Sequence, residues 1–244
     1  MSGGIEIRGI CKKYGDKWAV RPMELDVKQG ELMALLGVNG AGKTTLINML
    51  SCRTAPTSGD AFILGKSVVK EAGEVKEVMA KSPQQTAVAP KLTVRENLEL
   101  MAGAYGYGKV QVRQRTEEML DEMGLREVEK SSAYKLSGGW QRRLSIAMAL
   151  ISAPKVLFLD EPTLGLDVLA RQELWQVVSD LKGKVTILLT THYMEEAEEL
   201  ADRVCILNRG TPTALGTVEE LKTRAGEESF EKAFIKLVNG GEKA

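Results

Sequence analysis

The sequence predicts an α/β fold built on a mostly parallel sheet, and three apolar runs support this prediction. Residues 32–36, 156–159 and 185–189 are short runs that are apolar except for Thr186, as expected of strands that are buried on both faces. Each run is followed by a turn and then by a stretch with helical periodicity. Strands that alternate with helices favour a parallel sheet, because each helix returns the chain to the end where the next strand begins.

The N-terminal residues predict an antiparallel β-hairpin at one edge of the fold. Residues 5–10 and 18–27 alternate apolar and polar side chains, and Gly15 and Asp16 between them are typical turn residues. We therefore expect an N-terminal antiparallel β subdomain ahead of the first buried run. That run ends in a glycine-rich turn, and residues 43–51 beyond it have the periodicity of a helix.

The middle of the chain has a different pattern. From Thr93 to about Pro154 the apolar residues recur at helical spacing, with few β-branched runs and with several interrupting glycines. We interpret a segment of about residues 86–154 as a helical subdomain that is inserted between two parts of the sheet.

Two polar helices are expected after Gly216, at residues 218–224 and 229–238. Four apolar side chains of the second helix fall on one face, so this helix is expected to dock on the body of the protein or on a partner. These side chains are Phe230, Phe234, Leu237 and Val238. The last five residues, GGEKA, are expected to be loose.

Length and charge narrow the class of protein. The chain has 244 residues, which suits one domain, or one domain with a subdomain. Its 33 basic and 33 acidic residues balance, so little charge is available to neutralise nucleic-acid phosphates, and no nucleic-acid partner is expected.

Three widely spaced cysteines fit a reducing cytosol better than a disulfide framework. Without a secretory signal or an apolar run near the roughly 18 residues of a membrane helix, the sequence predicts a soluble cytosolic protein.

The glycine-rich turn fits the phosphate-loop pattern, in which a glycine and four further residues precede Gly-Lys-Thr. In such a loop the backbone N–H groups and the positive end of the following helix bind phosphate oxygens. Lys43 would contact the terminal phosphates, and the hydroxyl of Thr44 would be a magnesium ligand. The alternative is a plain glycine-rich turn with a solvated lysine. The predicted nucleotide-binding residues of this loop are Gly37, Val38, Asn39, Gly40, Ala41, Gly42, Lys43, Thr44 and Thr45.

Two adjacent acids narrow the chemistry, because a phosphate loop alone does not separate kinases, GTPases and ATPases. Asp160 ends a predicted buried strand, where its carboxylate can hold the magnesium shell. Glu161 follows directly and can polarise or deprotonate the attacking water. The alternative is that both acids cap the next helix. We expect the catalytic pair, because buried strands seldom end in unpaired acids.

A third motif, Leu-Ser-Gly-Gly, carries a resemblance to a known family. Over nearly its whole length the sequence resembles ATP-binding-cassette (ABC) ATPases, whose signature is LSGG. The resemblance implies a P-loop NTPase (RecA-like) fold that binds ATP with Mg²⁺. It also implies a head-to-tail dimer of two copies, in which each ATP lies between the phosphate loop of one copy and the signature of the other. With a helix expected from Arg142 onward, the segment could form a second anion site, or it could be a plain helix cap. The predicted signature residues are Leu136, Ser137, Gly138, Gly139 and Trp140.

Four further residues match positions of the family, and the resemblance implies their roles. Tyr14 matches an aromatic residue that stacks on adenine, and Gln84 matches a lid glutamine that contacts magnesium and water. Asp167 matches an aspartate that crosses the dimer interface, and His192 matches a histidine that contacts the γ-phosphate. For Tyr14 the alternative is an ordinary surface tyrosine, and for Gln84 it is a register in which Gln85 takes this role. For Asp167 the alternative is a helix cap, and for His192 it is a structural histidine. The predicted catalytic residues are therefore Glu161, His192 and Gln84, and the predicted magnesium ligands are Thr44, Gln84 and Asp160.

Two features of the sequence need a separate interpretation. Trp140 stands where the family usually has Gln or Met. It packs within the dimer, alters the approach to the partner's ATP, or simply packs locally. Residues 193–198 carry acidic side chains on one face. We interpret this face as a solvated helix start that the helix dipole favours.

The residues after His192 resemble ATP-binding subunits of bacterial and archaeal exporters of drugs, antibiotics, ions or lipids. This resemblance implies a single-cassette subunit that powers a separate membrane permease and lies on the inner, cytoplasmic face of the cell membrane. Residues 1–226 would form the ABC ATPase domain, and residues 227–244 would form a C-terminal helical tail. The open alternatives are an importer cassette, a soluble ABC ATPase that acts on nucleic acid or ribosomes, and a regulatory subunit that barely hydrolyses ATP.

Overall fold

The computed structural model describes residues 3–240, which form two β-sheets and nine α-helices. The strands are β1 (Ile5–Tyr14), β2 (Lys17–Val27), β3 (Leu32–Leu36), β4 (Ser58–Ile63), β5 (Lys66–Ser67), β6 (Met79–Ser82), β7 (Val156–Asp160), β8 (Thr186–Thr191), β9 (Arg203–Asn208) and β10 (Thr211–Gly216). The helices are α1 (Lys43–Leu50), α2 (Ala72–Val78), α3 (Val94–Ala104), α4 (Lys109–Glu122), α5 (Gly138–Leu150), α6 (Val168–Ser179), α7 (Met194–Leu200), α8 (Val218–Ala225) and α9 (Phe230–Gly240). Of the segment GGEKA only Gly240 is described, so the expected looseness of this segment falls on residues outside the described range.

The larger sheet confirms the predicted α/β fold. Its strand order is β10-β9-β3-β8-β7-β6, with parallel pairing from β9 to β6 and one antiparallel pair, β10 with β9. The predicted buried runs correspond to β3, β7 and β8, in which every residue is buried. Because these strands are parallel neighbours, the residues that follow them meet at the carboxyl edge of the sheet, where ligands bind in this class of fold.

The second sheet confirms the expected N-terminal antiparallel β subdomain. β1 and β2 form the predicted antiparallel hairpin, but β1 also pairs with β4, which gives a separate antiparallel sheet of order β2-β1-β4-β5. The hairpin is therefore not an edge of the larger sheet. Its inward side chains, such as Ile7, share one buried cluster with Leu46 of α1 and Phe158 of β7. Burial of this apolar face holds the smaller sheet over α1.

Helices α3, α4 and α5 lie between β6 and β7, where the sequence has helical periodicity. A capping box starts α3, because the Thr93 hydroxyl accepts from the Glu96 N–H at 3.2 Å and the Glu96 carboxylate accepts from the Thr93 N–H at 2.7 Å. Helix α5 begins at Gly138 and not at Arg142 as expected, because Ser137 is its N-cap. The three helices share one buried cluster with residues of the larger sheet.

The last two helices pack on the body of the protein. Thr217 and Glu220 form a capping box at the start of α8, which ends at Gly226 in the left-handed conformation. Phe230 and Phe234 of α9 are buried with residues of β9 and α8. This packing confirms the predicted docking face. Within residues 3–240, none of the helices combines the length and the apolar character that a membrane crossing requires.

Candidate functional site

The glycine-rich loop joins β3 to α1 and places backbone N–H groups at the start of α1. Two of its glycines leave no space for a side chain, since a Cβ on Gly37 would lie 2.4 Å from the Leu207 carbonyl oxygen and one on Gly42 would lie 2.3 Å from the Ala19 carbonyl oxygen. Gly42 also has φ of 104°, which favours glycine. No side chain caps α1, so its first N–H groups and the positive end of its dipole are available to an anion.

Lys43 is the first residue of α1 and is 5% exposed. Its ammonium donates to the Gly37 carbonyl at 2.6 Å and lies 3.5 Å from a carboxylate oxygen of Glu161. Burial lowers the pKa of Lys43, and the neighbouring charges of Glu161 and Asp160 oppose this effect. The loop therefore holds a desolvated ammonium close to its own backbone amides.

Asp160 is the last residue of β7, and both oxygens of its buried carboxylate have partners. One oxygen accepts from the hydroxyls of Thr190 at 2.8 Å and Thr44 at 3.2 Å. The other oxygen lies 3.2 Å from the ammonium of Lys81, whose Nζ also donates to Asn48 at 2.9 Å. Sequence reasoning missed Lys81, although a lysine in a short buried strand is itself a sign of a charged partner. These contacts fix Asp160 next to the Thr44 hydroxyl.

Glu161 stands at the centre of the site in a left-handed backbone conformation, with φ of 46°. Such a conformation is uncommon for a residue other than glycine and costs of order 1–3 kcal/mol. The Glu161 N–H donates to the Thr190 carbonyl at 3.0 Å, which holds this turn in place. The carboxylate lies 3.4 Å from Nδ1 of His192 and accepts from Nε2 of Gln84 at 3.3 Å. The strained turn therefore directs the acid toward both residues and not toward helix capping.

One cavity of about 540 Å³ contains most of the predicted nucleotide-binding and catalytic residues. Tyr14 is 54% exposed at its rim, with an ammonium of Lys12 5.2 Å from the ring centre. Sequence reasoning missed four further lining residues: Lys17, Trp18 and Ala19, which follow the hairpin turn, and Leu164. The full lining is Tyr14, Lys17, Trp18, Ala19, Asn39, Gly40, Ala41, Gly42, Lys43, Thr44, Thr45, Gln84, Glu161, Leu164 and His192.

The oxygen atoms near the phosphate loop fit a magnesium ion that is bound together with phosphate. The Thr44 hydroxyl and the Asp160 carboxylate lie together, and Gln84 lines the adjacent cavity. In the described part of the chain, no group of three or more His, Cys, Asp or Glu residues could hold a metal by itself. Mg²⁺ commonly takes one or two protein oxygens and completes its shell with phosphate and water, so this donor set fits it.

The signature segment lies outside this cavity and starts α5. The Ser137 hydroxyl accepts from the Trp140 N–H at 3.5 Å, and Ser137 and Gly138 are exposed. The Trp140 ring packs against the core cluster and stacks with the Arg143 guanidinium, 4.9 Å from the ring centre. Within one chain, Trp140 thus packs locally, which is one of the possibilities predicted for it. Asp167 caps α6 by accepting from the Ala170 N–H at 2.9 Å.

The match to known proteins agrees with this geometry. The family model described as ABC transporter matches residues 20–164, more than half of the chain. The chain belongs to the ABC transporter family. The resemblance that the signature carried is therefore confirmed, and the protein is an ATP-binding, ATP-hydrolysing cassette.

Relatives and solved structures of the family cover almost the entire chain. The daunorubicin resistance ATP-binding protein DrrA3 of Streptomyces coeruleorubidus is 42% identical over 91% of this chain and 71% of its own length. The structure of an ATP-binding subunit of an ABC transporter superposes with a TM-score of 0.83 at 29% identity, over 96% of this chain and 98% of the other. A dimeric post-hydrolysis structure of the ATP-binding cassette MJ0796, bound to ADP and Pi, has a TM-score of 0.76 at 26% identity, over 87% and 98%.

Arg142 is a buried charged residue next to the site, and it was not among the predicted site residues. Arg142 of α5 is 3% exposed. Its guanidinium donates to the carbonyls of Pro83, of Gln84 at 3.3 Å and of Asp160 at 3.0 Å. Burial lowers the pKa of Arg142 to about 10, against the opposing charges of Asp160 and Glu196, so the side chain remains a cation at neutral pH.

The interpretation of residues 193–198 as a solvated acidic face is wrong for Glu196. This side chain is 0% exposed, and the indole N–H of Trp175 donates to it at 3.2 Å. The physical reason is helical spacing: Glu196 lies on the face of α7 that also carries the buried Leu200. Its neighbour Glu195 remains exposed and pairs with Arg171 at 3.1 Å. Only part of the acidic run is therefore solvated.

The buried carboxyl of Glu196 predicts a pH dependence of stability. Burial raises its pKa above the ordinary value of 4.5, although hydrogen bonds from neighbouring side chains and the charge of Arg142 oppose this. Above that ordinary value the folded state therefore binds more protons than the unfolded state, so stability decreases as pH rises toward the folded pKa. As pH rises from the ordinary value of 4.5 into the neutral range, the free energy of unfolding of the wild type is expected to fall relative to that of Glu196→Gln. Urea denaturation across this range measures the difference.

The neighbouring substitution Glu195→Gln is a matched control, because its carboxylate is exposed. It is expected to leave the pH profile of the wild type unchanged. Parallel profiles for the wild type and Glu196→Gln would contradict the raised pKa.

Proposed function

We propose that Glu161 is the general base of this ABC ATPase. The observation that supports this role best is the position of its carboxylate, which lies within 3.5 Å of Lys43, His192 and Gln84 in one cavity. Glu161 accepts a proton from water while the water oxygen bonds to the γ-phosphorus and the bond from that phosphorus to the bridging oxygen of ADP breaks. Lys43 and His192 donate hydrogen bonds to the transferred phosphoryl group, and Gln84 orients the water.

The remaining residues of the cavity bind the nucleotide in this proposal. The backbone amides of residues 37–45 hold the phosphates at the start of α1, and the Tyr14 ring stacks on adenine at the exposed rim. Thr44, Asp160 and Gln84 would hold Mg²⁺ together with phosphate and water. The ion neutralises charge on the phosphate oxygens when it is bound.

The catalytic unit in this proposal is a head-to-tail dimer. The signature residues Leu136 to Trp140 lie outside the cavity of their own chain, which supports a role on the ATP of a second copy. Asp167 and the exposed side chains of Val168 and Leu169 lie on the surface that would face that copy. The solved MJ0796 cassette, which is dimeric with ADP and Pi, supports this arrangement.

The dimer powers a separate membrane permease, and the transport system exports its substrate. The name of the relative DrrA3, a daunorubicin resistance ATP-binding protein, supports the export of a drug-like or related compound. The chain would then lie on the inner face of the membrane as a peripheral subunit. In this proposal residues 1–226 form the ATPase domain, with about residues 86–154 as its helical subdomain, and residues 227–244 form the tail.

Turnover at different protein concentrations tests the dimer. Each ATP needs residues from two chains, so turnover per chain is expected to rise with protein concentration and to level off once the dimer is populated. The measurement is phosphate release in Mg²⁺ and saturating ATP, with the oligomeric state followed by light scattering. Full turnover per chain by a monomer would contradict the shared site. Reconstitution in vesicles with a candidate permease then tests transport, since ATPase stimulation and efflux should appear together.

A further inference from the structure

Helix α5 connects the exposed signature segment at its N-terminus to the buried side chain of Arg142. Its N-terminus is formed by the signature residues Ser137 and Gly138, which are exposed. Arg142 lies in the next turn of the same helix and is buried. A helix is stiff over this length, so a displacement of its first turn also displaces Arg142.

The guanidinium of Arg142 joins α5 to two other parts of the site. It donates to the carbonyls of Pro83 and Gln84 in the lid loop, which we define as residues 83–86. It also donates to the carbonyl of Asp160, the residue directly before Glu161. These carbonyl acceptors are backbone atoms, so Arg142 fixes the main chain of the lid loop and of the strand end and not only their side chains.

Arg142 is strongly held in this position. The charge of Asp160 and, to a smaller extent, that of Glu196 oppose the effect of burial on the guanidinium of Arg142. Charge-assisted hydrogen bonds from a planar guanidinium are directional, and losing them would leave carbonyl oxygens without their donor. A second contact between α5 and β6, the Ser82 and Ser145 hydroxyls at 3.2 Å, lies ahead of the lid loop and does not hold it.

We propose that Arg142 is a positioning residue that couples the signature segment of a chain to the lid loop and catalytic strand end of the same chain. When the ATP of a second copy binds Ser137 and Gly138, α5 and Arg142 shift together and set the lid loop and Asp160 for hydrolysis in the chain's own cavity. The two nucleotides of the dimer thereby influence each other through one side chain in each copy. The inference rests on the proposed head-to-tail dimer.

Enzyme kinetics gives the first test, with Arg142→Gln as the main variant. Turnover is expected to fall about 10–100-fold, because small displacements of positioned groups carry costs of that order. The dissociation constant for ATP should change by no more than about twofold, since Arg142 does not line the cavity. The Hill coefficient for ATP should fall toward one. Arg142→Lys, which keeps the cation opposite Glu196 and some of the donors, is expected to have intermediate values.

Arg115 of α4 offers a matched control, because it contacts the opposite end of α5. Its guanidinium donates to the carbonyls of Leu150 and Ile151 at 3.1 Å, at the far end of α5. Arg115→Gln removes the same type of contact and is expected to lower thermal stability while it leaves turnover and the Hill coefficient unchanged. If Arg142→Gln and Arg142→Lys lower stability only, as Arg115→Gln does, Arg142 is structural and the proposal is wrong.

Hydrogen exchange measures the coupling without relying on turnover. In a Glu161→Gln background with ATP and Mg²⁺, amides of residues 137–140 and of lid-loop residues Gln84 and Thr86 are expected to become protected together. Adding Arg142→Gln should keep the protection of residues 137–140 and abolish that of the lid loop. Equal protection of both segments with and without Arg142 would overturn the proposal. If residues 137–140 are never protected by ATP in the parent protein, the head-to-tail dimer itself is wrong, which separates the two failures.

Discussion

Glu161→Gln is expected to lower the ATP turnover number by about 10²–10⁴-fold, the range that a general base contributes. Glutamine has nearly the same shape and can keep the contact with Gln84, but it cannot accept the proton from water. ATP binding should therefore persist, and the ATP-bound dimer should accumulate because hydrolysis no longer separates it. Phosphate release, equilibrium nucleotide binding and size-exclusion chromatography with ATP measure the three effects.

A buried carboxylate elsewhere in the protein provides the control for this experiment. Glu31 is buried and pairs with Arg203 at 2.6 Å; it lies at the end of β3 opposite the glycine-rich loop and is absent from the cavity lining. Glu31→Gln is expected to lower the melting temperature and to keep turnover at the wild-type level. Wild-type turnover in Glu161→Gln would instead remove Glu161 from the role of base.

Lys43→Ala is expected to have the largest effect on nucleotide affinity. Hydrogen bonds from a charged donor contribute about 1.5–3 kcal/mol, so the dissociation constant for ATP should increase by about 10–100-fold or more. Fluorescence titration with a labelled ATP measures this change. Because burial of the ammonium lowers the pKa of Lys43, the folded protein bears a desolvation cost there. Alanine removes that cost, so the thermal stability of the variant should not fall.

Lys66→Ala separates the local effect of Lys43 from a general loss of positive charge. Lys66 pairs with the exposed Glu74 outside the cavity, and its removal is expected to leave ATP affinity unchanged. Unchanged affinity in Lys43→Ala would contradict the assignment of the loop as the phosphate-binding site.

The backbone conformation of Glu161 fixes the position of its side chain in the site. A residue with φ of 46° costs conformational energy, and two hydrogen bonds of its N–H to Thr190, with the carbonyl at 3.0 Å and the hydroxyl at 3.1 Å, hold it there. The same Thr190 hydroxyl donates to the Asp160 carboxylate at 2.8 Å. Thr190 near the end of β8 therefore positions both acids. It belongs to none of the motifs recognised in the sequence, so its role could not be predicted from the sequence.

Several elements were visible in the sequence because their signals are local. The phosphate loop, the strands β3, β7 and β8 and the helix α1 follow from short-range patterns of glycine, apolar runs and helical spacing. The elements β4, β5, β6, β9, β10 and α2 were not predicted, because they are short or partly polar. Strand pairing depends on contacts between distant segments, so the separation of the hairpin into a second sheet could not be inferred from alternation alone.

The sequence by itself determined the nucleotide chemistry of this protein. Gly42, Lys43, Asp160 and Glu161 are recognisable because each acts through its type and its position relative to one strand or one helix. Only the tertiary structure decided the fate of charged residues whose local pattern is ordinary. In the sequence, Arg142 and Glu196 have the local pattern of solvated side chains. In the structure, both are buried. The physical reason is that burial and pairing of a charge depend on which distant elements pack around it, and no local spacing encodes that.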